Sequence, residues 1–233
     1  RYLITFNGEV YNFERLRPEL LALGHRFRGH SDTEVMLAAF EAWGIERALQ
    51  RFNGMFAFAV HDLRERRIVL ARDRLGKKPL YYARVGPALV FGSELKALMQ
   101  YPGLSRELDR DAACLYVRHN YIPAPYTVYS NVRKLEPGCT LAASLGDEGV
   151  GEFMHARYWA AADAWERGRG APFSGTYHDA VDELDRLLRD SIAMRSVADV
   201  PLGAFLSGGI DSSTVVALMQ AQAVNPGKSF TIG

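Results

Sequence analysis

Cysteine is scarce in this sequence: two in 233 residues, Cys114 and Cys139. That excludes a disulfide framework and fits a reducing, cytoplasmic compartment. An excess of one charge is also missing, since 28 Lys and Arg against 27 Asp and Glu leave a net charge of +1. So even a balance gives no electrostatic footprint for nucleic acid or for an anionic membrane surface. No apolar run approaches the roughly 20 residues of a membrane span, and no signal-peptide pattern opens the chain. Internal repeats and low-complexity tracts are lacking too. What remains is a chain 48% hydrophobic and 24% charged, ordinary for a globular protein with a sizeable core.

The pattern along the chain is helices, then a meander of strands, then a helix. Tyr2 to Phe6 is β-rich, and Asn7-Gly8 reads as the turn that closes it. Asn12 to Leu23 has Leu16, Leu20 and Leu23 at helical spacing, ended by Gly24. Ser31 and Glu34 have capping-box spacing and open a helix through Trp43, ended by Gly44. Met55 to Val60 is nearly all apolar, as for a buried strand. Short strands follow at Arg67 to Ala71, Leu80 to Ala83 and Ala88 to Phe91, and Ser93 caps a helix through Leu98. Residues 101–140 are rich in loops, with a short strand pair expected around 139–159. Residues 160–176 read as a linker.

The last segment changes character. Tyr177 to Met194 carries a helical apolar face of Val181, Leu184, Leu188 and Ile192. A strand at Val200 to Leu206, a glycine turn, a helix from Ser213 to about Ala223 and a strand at Ser229 to Ile232 predict a parallel sheet with a crossover helix. The chain opens inside a strand with no initiator Met, so it reads as an internal piece of a longer protein.

Three clusters can carry chemistry. Ser207-Gly208-Gly209-Ile210-Asp211-Ser212-Ser213 lies between a strand and a helix. Its glycines let the backbone approach a ligand, and the helix start favours an anion. Ser207, Ser212 and Ser213 add hydroxyl donors. Asp211 would repel a bare phosphate, which points to a bridging Mg²⁺. The run is not a Walker A loop, because the Gly-Lys-Ser/Thr that would supply the γ-phosphate lysine does not follow. Its bland alternative is a strand-to-helix connector. Asn7-Gly8 is first a hairpin signal, but an amide side chain and a glycine N–H can also converge on one developing oxyanion. Asp32 has two readings as well: an acid favoured in a helix's first turn, or an anchor for a ligand ammonium group.

NGEVYN, SDTE, FNGMFAFAV (52–60), ARDRLGKKPLYY (71–82), FGSELKAL (91–98), KLEPG (134–138), DVPLGAFLSGGIDSS (199–213) and SFTIG (229–233) occur in this order. That set resembles the class II glutamine amidotransferase domain joined to the synthetase domain of glutamine-hydrolysing asparagine synthetases. The resemblance covers nearly the whole chain. It implies an α+β N-terminal-nucleophile hydrolase fold, a four-layer αββα sandwich, over 1–159. After the linker, 177–233 would begin an α/β PP-loop domain with a parallel sheet.

The resemblance implies that a cysteine at a processed N-terminus attacks the side-chain amide of glutamine, with its own α-amine as base. Asn7 and Gly8 match the oxyanion hole, and Glu9 and Asp32 match positions that hold the amino-acid head of glutamine. No cysteine precedes Asn7, Cys114 and Cys139 match no nucleophile position, and Arg1 does not match the family's arginine for the glutamine carboxylate. Truncation accounts for this, and the chain as written should not hydrolyse glutamine. Arg72-Asp73-Arg74-Leu75-Gly76 resembles a family motif with no catalytic role legible in it. Ser93 to Lys96 resembles a segment near the domain interface.

In the second domain Phe205, Leu206 and Ile232 match positions near adenine, and buried strand core is the alternative for all three. ATP and aspartate would give β-aspartyl-AMP and pyrophosphate with Mg²⁺ held partly by Asp211, and ammonia from glutamine would then form asparagine. The aspartate pocket would lie beyond Gly233. Glutamine, aspartate and ATP are the partners expected. A homodimer is compatible with the resemblance, and the composition does not speak to it. Three rivals stand: a paralogous amidotransferase acting on another carboxylate, a nucleophile-less glutaminase-like scaffold, and a plain PP-loop nucleotide-binding domain with an unrelated first half, which the ordered first-half motifs oppose.

Overall fold

The first strand runs further than its β-rich start suggests. A computed structural model describes residues 1–198, 200–223 and 227–231, and in it β1 spans Tyr2–Val10. Asn7-Gly8 is therefore not the expected turn. It is paired strand, with Asn7 opposite Ala57 and Gly8 opposite Phe56. The neighbouring strand explains the glycine. A Cβ on Gly8 would lie 2.1 Å from the Met55 carbonyl oxygen and 2.6 Å from Phe56 Cα, at a φ of +151°. Glycine here permits close backbone approach rather than reversal. Gly8→Ala is expected to cost about 2–3 kcal/mol through overpacking and strain. A urea midpoint within error of the parent protein would count against this.

Three helices follow. α1 spans Phe13–Ala22 and buries Leu16 and Leu20, while Leu23 falls outside the helix and stays exposed. α2 spans Asp32–Trp43, with the Ser31 hydroxyl accepting from Glu34 N–H. Only half of the expected capping box forms. The Glu34 carboxylate turns instead to the N–H groups of Arg28 (2.7 Å) and Gly29 (2.9 Å). These bonds hold its pKa below the ordinary value. α3, Ile45–Arg51, was not expected. It is a two-turn helix whose Ile45, Ala48 and Leu49 are buried.

The strands that follow build two sheets. β2 is Gly54–Asp62, β3 Arg67–Arg72, β4 Tyr81–Val85 and β5 Ala88–Gly92. After a short helix α4 (Leu95–Leu98) comes α5, Arg110–His119, inside the stretch read as loops. Its signal was the cap rather than an apolar stripe: Asp109 accepts from Ala112 N–H, and only Ala112 is buried. β6 is Arg133–Lys134, and residues 139–159 hold three strands rather than a pair: β7 (Cys139–Gly146), β8 (Gly149–Val150) and β9 (Met154–Arg157). One sheet has the order β1-β2-β3-β7-β8 with β9 also on β7; the other has β5-β4-β6.

Strand alternation sorts the apolar side chains into three clusters. Phe56, Phe58 and Val60 of β2 join Leu20, Met36, Phe40 and Leu49 under the helices. Ala57, Ala59, Leu70 and Leu141 face Tyr82 of the other sheet and Leu80, which leads into it. Ala83 and Val90 face outward from that sheet against Leu98 and Val132. Helices, sheet, sheet and helix therefore stack as the αββα sandwich that the sequence resemblance implied.

The described chain divides into two compact units, Arg1–Glu166 and Arg167–Gly233. Residues 160–176, read as a linker, contain helix α6, Ala161–Gly170, with no buried residue. In the second unit α7 spans Tyr177–Arg195, with a capping box between Thr176 and Asp179. Ile192 is buried, whereas Val181 and Leu184 of the same face stay exposed. β10 (Gly203–Phe205) and β11 (Lys228–Phe230) pair in parallel, joined by α8, Ile210–Gln222. The crossover is as expected, but the helix begins at Ile210 rather than Ser213, so Asp211 and Ser212 belong to its first turn.

Candidate functional site

In the first unit the end of β1 gathers the predicted residues. Leu3, Thr5 and Asn7 alternate outward along the strand, and Asn7 is exposed. Its amide Nδ2 donates to Ser93 Oγ at 2.8 Å. Ser93 follows β5, so this bond links the ends of the two sheets across 86 residues of sequence. Ser93 does not cap α4 as expected: the N-cap is Glu94, without a side-chain bond. Gly8 and the half-buried Glu9 follow on the strand. Asp32 Oδ2 accepts from Val10 N–H at 2.9 Å, and its Oδ1 accepts from the Thr33 hydroxyl at 3.2 Å. The carboxylate that opens α2 is thereby tied to the strand end beside Glu9. Structure thus brings Asn7, Gly8, Glu9 and Asp32 to one edge.

The second Asn of NGEVYN is architectural. Asn12 Nδ2 donates to Arg51 O at 2.9 Å, and its Oδ1 accepts from Asn53 N–H at 2.8 Å. Both ends of the amide are used, and they lock the α3–β2 junction to the start of α1.

In the second unit the serine-glycine run is open. Ser207 to Asp211 and Ser213 are exposed. Gly208 has φ +81° with nothing within 4 Å of a would-be Cβ, and Gly209 is the N-cap of α8. Ser212 Oγ donates to Gly209 O at 3.1 Å and lies 3.0 Å from Ser207 Oγ. Ser207 N–H also reaches Ser212 Oγ, at 3.3 Å. Two of the three expected hydroxyls are thus engaged in shaping the loop. No side chain caps this 13-residue helix, so the positive end of its dipole lies at the loop. Phe205 is not buried core: it is 79% exposed, with the Phe230 ring of the neighbouring strand 6.5 Å from its own. Leu206 is half-buried, its N–H bonded to Phe230 O at 2.8 Å. Ile232 lies outside the described residues.

Residues 1–159 match the family model described as a glutamine amidotransferase domain. The chain belongs to the glutamine amidotransferase family. Behind this amidotransferase match, residues 183–233 match the family described as asparagine synthase. The chain is 34% identical, over 98% of its length, to glutamine-hydrolysing asparagine synthetase 3 of Bacillus subtilis, and covers 35% of that protein. It is 39% identical to a putative glutamine-hydrolysing asparagine synthetase of Mycobacterium bovis, with 94% of this chain and 33% of that one covered. The chain thus spans about a third of the length of these relatives. Among solved structures, glutamine phosphoribosylpyrophosphate amidotransferase from B. subtilis matches with a TM-score of 0.45 and 19% identity, over 99% of this chain and 45% of that one.

Arg72-Asp73-Arg74-Leu75-Gly76, in which no catalytic role is legible, has a structural one in the amidotransferase domain. Asp73 is 1% exposed. Its carboxylate accepts from the N–H groups of Phe56 (3.2 Å), Leu75 (3.1 Å), Lys77 (3.0 Å) and Lys78 (3.0 Å). Arg72 donates to the carbonyls of Lys78 (2.8 Å), Leu135 (2.7 Å) and Gly76 (2.8 Å). Burial lowers the Arg72 pKa while Asp73 opposes the shift, and a guanidinium stays charged throughout the physiological range. Because Phe56 lies opposite Gly8, this hub backs the strand against which the candidate site is built.

Cys139 is buried and Cys114 exposed, and both are free thiols. Cys139 packs between the two sheets, where burial raises its pKa. It is not placed to act as a nucleophile. Among the described residues no group of three or more His, Cys, Asp or Glu could hold a metal ion. No helix among them is long and apolar enough to cross a membrane.

Proposed function

We propose that the protein makes asparagine from aspartate and ATP with ammonia released from glutamine, through a β-aspartyl-AMP intermediate, in the cytoplasm. The observation that carries this reading is the open Ser207–Gly209 loop at the head of α8, with glycine where a phosphate would approach. Ser207, Gly208, Gly209 and Ser213 would cradle the pyrophosphate, with Ser212 holding the loop's shape. Phe205, Leu206 and Ile232 would lie toward the adenine. Asp211, exposed in the first turn, suits Mg²⁺ only as a shared ligand. One carboxylate with phosphate oxygens is an ordinary Mg²⁺ set, whereas an all-protein cage needs more acids than the described residues gather.

In the first unit Asn7 and Gly8 would donate to the oxyanion formed as the glutamine amide is attacked. Glu9 and Asp32 would hold the glutamine ammonium group. The attacking thiolate would come from a cysteine other than Cys114 and Cys139. Delivering ammonia internally has a physical rationale, because in water at neutral pH most of it is protonated and non-nucleophilic.

The test uses the whole protein with ATP, Mg²⁺, glutamine and aspartate. Asparagine, AMP and pyrophosphate are expected in equal amounts. ADP in place of AMP, or no asparagine, overturns the reading. Asp211→Ala should lower ATP-dependent synthesis about tenfold while leaving glutamine hydrolysis intact. Unchanged synthesis would remove the metal role.

A further inference from the structure

We propose that Ser93 is a positioning residue for the amide of Asn7, fixing its orientation for the developing oxyanion. The inference rests on the oxyanion reading of Asn7 given above. An asparagine amide turns about a broad, roughly two-fold χ2 torsion. On an exposed edge-strand position nothing intrinsic fixes it. Catalysis by a hydrogen-bond donor depends on that donor being oriented before charge develops.

The 2.8 Å bond from Asn7 Nδ2 to Ser93 Oγ supplies that constraint. It uses one of the two amide hydrogens and sets the plane in which the other lies. Ser93 is itself well anchored. The preceding Gly92 pairs with Tyr81 in the second sheet, and a Cβ there would lie 3.0 Å from Leu98 Cδ1. Leu98, on the helix that follows, is buried. The amide on the edge of one sheet is thus held by a hydroxyl mounted on the rigid end of the other. Threonine keeps that hydroxyl, and alanine removes it.

The experiment measures glutamine hydrolysis and ammonia-dependent asparagine formation by the whole protein and its variants. Ser93→Ala should lower kcat for glutamine hydrolysis about tenfold, with KM for glutamine changed less than about twofold. Ammonia-dependent synthesis and the thermal midpoint should be unchanged. Ser93→Thr should restore most of kcat. The double variant Asn7→Ala/Ser93→Ala should be no slower than Asn7→Ala alone, because the hydroxyl acts only through the amide. Unaltered kcat in Ser93→Ala beside an impaired Asn7→Ala overturns the proposal and leaves the oxyanion reading standing. Additive losses in the double variant, or a Ser93→Ala loss that extends to ammonia-dependent synthesis, also overturn it. Unaltered hydrolysis in Asn7→Ala removes the oxyanion reading itself, and the proposal with it.

Discussion

Asn7→Ala should lower glutamine-dependent asparagine formation by about 10²–10³-fold, the usual cost of removing one oxyanion donor. Ammonia supplied directly should bypass the loss. The reasoning is local. Asn7 is exposed, and its one described side-chain bond goes to Ser93, so truncation removes no core packing. The strand itself is held by the backbone register with Ala57 and Phe56 at this point. The loss should therefore appear in kcat, with binding of glutamine retained through Glu9 and Asp32. Steady-state kinetics with glutamine and with ammonia as alternative donors check this. Equal losses with both donors would show that Asn7 supports the fold and not the chemistry.

Asp73→Ala should instead unfold the first unit more readily, by about 3–5 kcal/mol, without touching any ligand. Removing the carboxylate strands four N–H donors, those of Phe56, Leu75, Lys77 and Lys78. Each buried orphan costs about 1–3 kcal/mol. The sum is smaller because Leu75 and Lys77 are exposed and water can reach their backbone. For a domain of this size the midpoint should fall by roughly 10 °C. Asp73→Asn should recover only part of the loss, since an amide NH₂ faces the same donors. Thermal unfolding with a near-ultraviolet probe reads it directly. A shift below about 2 °C would mean that the loop finds other acceptors.

The first half of the fold was readable wherever local pattern and tertiary burial agree. Leu16 and Leu20 mark α1, Val35 and Ala39 mark α2, and the unbroken apolar run from Met55 marks β2. Pattern and structure part where glycine has two uses. Asn7-Gly8 is a turn by composition and a strand in space, because β2 approaches too closely for any side chain. α3 is hidden because its seven residues hold a single i, i+3, i+4 set, Ile45, Ala48 and Leu49, and α5 because only Ala112 of its ten residues is buried. α6 was hidden by the Gly168 and Gly170 that end it.

What the sequence determined alone was the order of motifs, and with it the family and the layer count. These depend on residue type at fixed spacing, and spacing is a property of the chain. Only the tertiary structure decided that Ser93 meets Asn7 rather than capping a helix, and that Asp73 serves four backbone donors. It also decided that Ser207 and Ser212 shape their own loop. Those are contacts between residues far apart or through side-chain rotamers, and a hydroxyl or carboxylate carries no mark in sequence of which partner packing will bring to it.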